Sequence, residues 1–141
     1  MRVIALSVLL ALAAQGIRAE ADPHAEVVDL FGSMSAALTE DPPNPEGFMK
    51  PIDHSFAGYD ELKRNVKAMM LAAWVSSSID FLKDEGDSTK RTVELDWYME
   101  LRSKQEGGPF RQRRQVIRCE LVKEGKRWRI RSLAPLSLFQ P

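Results

Sequence analysis

The chain has one cysteine, Cys119, so it can close no disulfide on itself and offers no cysteine pair to a metal. Histidine is nearly as scarce. His24 and His54 lie far apart with no acid at ligand spacing, which argues against a zinc site. Net charge is absent too, with 20 Lys and Arg against 20 Asp and Glu, so there is no overall polyanion-seeking field. There is no internal repeat and no low-complexity segment. The longest apolar run, Val3–Ala14, is well short of the roughly 20 residues that cross a bilayer, which excludes a membrane anchor of that kind.

What that run does match is a secretory signal peptide. Arg2 precedes it, and Ala19-Glu20-Ala21 supplies the small residues that a signal peptidase needs. The expected division is therefore a signal peptide over residues 1–21 and a single domain over 22–141, exported to the periplasm or secreted. A domain of that size can bury enough surface to stand without covalent staples.

The neutral total hides an asymmetry. Residues 22–87 hold 5 Lys and Arg against 13 Asp and Glu, whereas residues 88–141 hold 13 against 6. The excess arginines alternate with apolar residues and do not cluster, so the simplest reading is a basic sheet beside acidic helices. Nucleic-acid binding is not expected, because Tyr98 is the only aromatic on the charged face that could stack a base.

Asp22-Pro23 has the form of a helix start, with an N-cap acid followed by proline at the first helical position. Val27, Leu30, Phe31, Met34 and Leu38 then recur at helical spacing. The prolines at 42, 43 and 45 end that helix and open a long connection to residue 57, with a short helical turn around Phe48–Ile52. A second helix is expected from Gly58, buried through Leu62, Val66, Met69 and Ala73 and closed by Trp74.

Beyond it the period changes to two. In Thr92–Arg102, Val93, Leu95, Trp97, Met99 and Leu101 share one parity, while Glu94, Asp96, Tyr98 and Glu100 share the other. Ser76–Lys83, Thr89–Arg102, Arg113–Val122 and Arg127–Leu133 read as four strands. The joining turns are Asp84–Asp87, Glu106–Pro109 and Lys123–Lys126, so the strands form an antiparallel meander. The fold class is α+β, with N-terminal helices packed on the dry face of a curled antiparallel meander sheet.

Several segments together resemble the nuclear transport factor two-like superfamily, the cystatin-like α+β cone, and this resemblance implies that the sheet forms a cone-shaped α+β barrel. They are the first helix, the proline-containing connection, the Tyr59–Ala73 helix, Val75–Phe81, the long Thr92–Arg102 strand and the closing Gly125-Lys-Arg-Trp-Arg-Ile-Arg-Ser-Leu133. That superfamily includes isomerases, dehydratases, cyclases, small-molecule binders and dimerisation modules. The resemblance therefore implies a pocket and often a homodimer through the sheet, but no particular reaction.

A buried acid or histidine inside the cone would be the natural proton carrier, since desolvation raises a carboxyl's pKa toward neutrality. Strand parity puts Asp80, Asp96 and Tyr98 outside. On that face Glu94, Asp96 and Glu100 are expected to meet Arg114 and Arg118, and Glu120 to meet Arg127, Arg129 or Arg131. Asp53 and His54, in the connection, are what remains for catalysis. Inside, Phe31, Met34, Met69, Met70, Trp74, Phe81, Trp97, Met99 and Trp128 are expected to converge, either as a filled core or as the lining of a pocket for a small hydrophobic molecule. The apolar stretch Leu133–Phe139 is expected to fold back along the sheet or over the cone mouth.

Two functions stay open. One is a non-enzymatic exported protein that binds a small apolar ligand or serves as an interaction module, with no cofactor and no metal. The other is an isomerase- or cyclase-type enzyme using Asp53 or His54 as acid or base.

Overall fold

The computed structural model describes residues 22–141. The expected signal peptide and its cleavage site lie outside the described residues. Helix α1 spans Pro23–Thr39, α2 Pro45–Met49 and α3 Tyr59–Ala72. Strands β1 (Ala73–Gly86), β2 (Lys90–Ser103), β3 (Phe110–Glu124) and β4 (Arg127–Ala134) follow, and a 3-10 turn at Ser137–Phe139 comes last. No described helix is long and apolar enough to cross a membrane.

Asp22 caps α1 as its sequence indicates: its Oδ1 accepts the His24 amide at 3.0 Å, and Pro23 follows at a position with no donor to lose. Val27, Phe31, Met34 and Leu38 form the buried stripe. Asn44 caps α2 in the same way, accepting from the Gly47 amide at 2.9 Å.

The strands pair antiparallel in the order β1-β2-β3-β4. The sheet curls around the helices without closing into a barrel. The segment before α3 covers part of the free β4 edge: Asp53 N–H donates to Ile130 O, and Ile130 N–H donates to Pro51 O, each at 2.9 Å. On β2 the alternation is complete, with Val93, Leu95, Trp97, Met99 and Leu101 all buried. Ile117, Cys119 and Leu121 continue the dry face on β3, and burial raises the Cys119 thiol pKa far above its usual range.

Three expectations need correction. First, α3 stops at Ala72, where the Ala73 amide closes on Met69 O and the chain becomes extended. Trp74 is thus the second residue of β1. Its parity is opposite to that of buried Ala73 and Val75, which leaves the ring half-exposed on the outer face with Lys104 Nζ 4.4 Å above it. Trp74 is therefore not part of the interior.

Second, β1 continues through Asp84, which the sequence reading placed in a turn. A bulge between Phe81 and Lys83 reverses the parity, so Asp84 faces Val93 on the inward side. Third, a bulge between Glu120 and Leu121 sets Glu120 opposite Ser132. None of the three arginines of β4 meets Glu120: Arg131 pairs with Glu124 at 2.6 Å and Asp53 at 3.2 Å, and Arg129 donates to Lys50 O. The β2–β3 half of the ladder follows expectation, with Arg114 on Asp96 at 2.6 Å and Arg118 on Glu94 at 3.6 Å. Glu100 instead accepts from Tyr98 Oη.

Candidate functional site

Eight of the nine residues expected to line a pocket do face inward, but they do not surround a common open space. Phe31, Met34, Met69, Trp97 and Met99 are fully buried. Phe31 meets Trp97 edge-on at 6.5 Å and partly buried Phe81 at 5.9 Å. Phe48 from α2 and Phe139 from the final segment also pack on Trp97, at 6.2 and 5.1 Å. The indole N–H of Trp97 is satisfied by Ser77 Oγ at 2.8 Å. This is a filled aromatic core, worth about 0.5–1.5 kcal/mol per ring pair beyond area burial.

Open space begins where the core reaches the surface between α1, α2 and the β3–β4 hairpin. A cleft of about 750 Å³ lies there, with Leu30, Met34, Pro51 and Trp128 as its apolar walls. Glu26, Asp29, Lys50, Lys126, Arg127 and Arg129 supply its charged lining. Trp128 is buried, and its Nε1 has no acceptor among the described residues. Leaving such a donor unpaired costs about 1–3 kcal/mol, so it demands an explanation. Lys123 Nζ sits 5.7 Å from the ring centroid and is held by Glu26 at 3.1 Å, which places a fixed charge pair beside the indole.

Asp53 and His54 do not form an acid–base pair. Asp53 Oδ1 accepts from the Ser55 amide at 2.7 Å and the Ser55 hydroxyl at 2.5 Å, and Arg131 holds its other oxygen. The Ser55 hydrogen bonds, and then Arg131, pull its pKa below the usual carboxylate value, the reverse of what a general acid needs. His54 is exposed and stacks on Tyr59 at 4.5 Å, lining a second cleft of about 420 Å³ with Glu46, Lys50 and Lys63. Asp96, which Arg114 likewise keeps ionised, and Tyr98, whose pKa rises through its bond to Glu100, are on the outer face as expected.

The group that sequence reasoning missed is Asp84. Its carboxylate is only 5% exposed, with Oδ1 2.6 Å from Arg91 Nε and Oδ2 2.5 Å from His24 Nδ1. An inward carboxylate does therefore exist on a strand, and it orients a half-exposed imidazole. The signal was present but ambiguous: Asp-Glu-Gly-Asp has the composition of a turn, and no residue pattern announces a bulge. Among the described residues, no three His, Cys, Asp or Glu side chains converge as metal ligands.

No family model matches the sequence, and no curated protein does. Solved structures do. A conserved protein from Planctomyces limnophilus superposes with a TM-score of 0.71 at 8% identity, over 79% of this chain and 93% of its own. A candidate scytalone dehydratase from Novosphingobium aromaticivorans gives 0.66 at 15% identity, over 78% and 80%. An NTF-2-like protein of unknown function from Shewanella oneidensis gives 0.59 at 12% identity, over 79% and 97%. At such identities the likeness is one of fold, and fold alone assigns no reaction. The chain has the NTF2-like α+β cone fold, with three helices on an open four-stranded sheet.

Proposed function

We propose that this protein is a non-catalytic binder of a small, mainly apolar molecule that carries a hydrogen-bond acceptor, and that the molecule sits in the cleft between α1, α2 and the β3–β4 hairpin. The observation that carries this reading is the Trp128 indole, buried on the wall of that cleft with its N–H unsatisfied. A ligand acceptor brought to Nε1 would recover the lost hydrogen bond, while Leu30, Met34 and Pro51 cover its apolar body. Lys50, Lys126, Arg127 and Arg129 outnumber Glu26 and Asp29 along the lining, which favours an acceptor with negative charge.

Titration with 8-anilinonaphthalene-1-sulfonate tests it. Trp128→Phe keeps the ring and removes the donor, and should weaken binding by about tenfold, which is 1.4 kcal/mol. Leu30→Glu, which puts a negative charge on the apolar wall, should weaken it as well. Equal affinity in wild type and both variants would refute the site.

The enzyme alternative draws less support, because Asp53 is held ionised by partners and His54 opens on a different cleft. A second reading, self-association through the outer sheet face, is favoured by one specific row. Exposed Trp74 and Phe110 flank Arg102 across β1, β2 and β3, with exposed Leu82 and Val116 elsewhere on the molecule's surface. Sedimentation equilibrium of wild type and Phe110→Glu tests it: a dimer that the substitution dissociates supports the reading, and a monomeric wild type ends it. Export, with Asp22 as the first mature residue, is likewise our proposal. The intact mass of protein recovered from an exporting host decides it.

A further inference from the structure

The concave face of β3 changes character along its length. Ile117, Cys119 and Leu121 are buried there, but the same parity earlier in the strand carries Arg111, Arg113 and Gln115. These polar residues face Leu101, Met99 and Trp97 of β2, all of them buried. Arg111 is solvent-exposed, so of the two arginines only Arg113 holds a charge that needs partners inside the fold. Arg113 is partly buried, and no carboxylate among the described residues pairs with it. Burial, with Arg111 nearby, lowers its pKa.

What meets this cationic end is the chain's own final segment. Arg113 donates through one nitrogen to Leu138 O at 3.1 Å and to Gln140 O. The Ser137 hydroxyl donates to Gln115 Oε1 at 3.0 Å. Between these anchors the Phe139 ring is fully buried, 5.1 Å from Trp97 and 5.3 Å from Phe48. An aromatic body lies in an apolar seat, and two oxygens lie on one uncompensated guanidinium.

We infer that segment 136–141 is an internal stand-in for a ligand, and that an arylalkyl carboxylate displaces it, the aryl group taking the Phe139 seat and the carboxylate replacing the two carbonyls on Arg113. A carboxylate is the better partner on chemical grounds, since it brings the charge that neutral carbonyls lack and can engage guanidinium through two oxygens. This site is distinct from the Trp128 cleft and does not depend on it.

The test uses 4-phenylbutyrate and its uncharged amide, followed by calorimetry. Phe139→Ala loosens the segment and should raise affinity for the acid by about tenfold over wild type. Adding Arg113→Gln should remove that gain, and the amide should show none. A cooperatively folded Phe139→Ala protein that binds acid and amide alike, or the acid no more tightly than wild type, overturns the inference. The unaltered chain gives an independent reading. Millimolar 4-phenylbutyrate should speed hydrogen exchange at the Phe139 and Gln140 amides, which bond to Leu136 O and Ser137 O. Unchanged exchange at saturating acid also overturns it.

Discussion

Trp97 donates its indole N–H to Ser77 Oγ at 2.8 Å, and the same hydroxyl receives a bond from Ser35 Oγ at 2.8 Å. A fully buried tryptophan is thereby satisfied by a short polar chain that ties β2 to β1 and α1. Trp97→Ala should cost about 3–5 kcal/mol by emptying the aromatic centre of the core. Ser77→Ala should cost about 1–3 kcal/mol, because it strands the indole donor. Urea melts measure both, and a neutral Ser77→Ala would mean that the bond contributes nothing. Asp96→Ala, on the outer face, should cost far less than Trp97→Ala.

Asp84 joins the start of α1 to the β1–β2 hairpin through His24 and Arg91. Asp84→Asn should lower stability by about 1–3 kcal/mol, since a buried acceptor of two polar donors is compromised. Asp80→Asn, on the exposed outer parity of the same strand, should stay within about 0.5 kcal/mol of wild type. Equal effects would place Asp84 outside the core despite its burial.

Asp87 organises the β1–β2 turn by accepting from the Thr89 amide and hydroxyl and the Lys90 amide, at 2.8 to 2.9 Å. These bonds favour the carboxylate and lower its pKa from the ordinary 3.8 to about 2. Because the native pKa is the depressed one, the unfolded chain binds the proton more readily as acidity rises. The stabilisation is thus complete above the ordinary value and disappears as pH falls through about 2. Thermal melts across that interval should show a shallower acid decline for Asp87→Asn than for wild type. Parallel curves would contradict the assignment.

Strand parity made most of the sheet legible. The five inward residues of β2 needed only alternation, and Asp22-Pro23 announced α1 through capping chemistry. What stayed hidden depends on register. One bulge turns Asp84 inward and another moves Glu120 away from the arginines of β4, and neither leaves a mark in composition. Trp74 was misplaced because an apolar residue directly after an amphipathic helix looks like its last turn, whereas α3 ends two residues earlier. For the candidate site, Met34 and Trp128 were readable as inward. That they line an open cleft, while Trp97 is sealed under Phe48 and Phe139, depends on how α2 and the final segment pack. No local pattern encodes that.

Indole N–H resonances read directly whether Trp128 is a donor waiting for an acceptor. The chain has three tryptophans, and single Trp→Phe variants assign their three indole cross-peaks in a ¹H–¹⁵N spectrum. On titration with 8-anilinonaphthalene-1-sulfonate, the Trp128 cross-peak should move downfield and saturate with the binding isotherm, while that of Trp97, already bonded to Ser77, stays in place. A Trp128 cross-peak unmoved at saturation, or a response confined to surface Trp74, would contradict the proposed site.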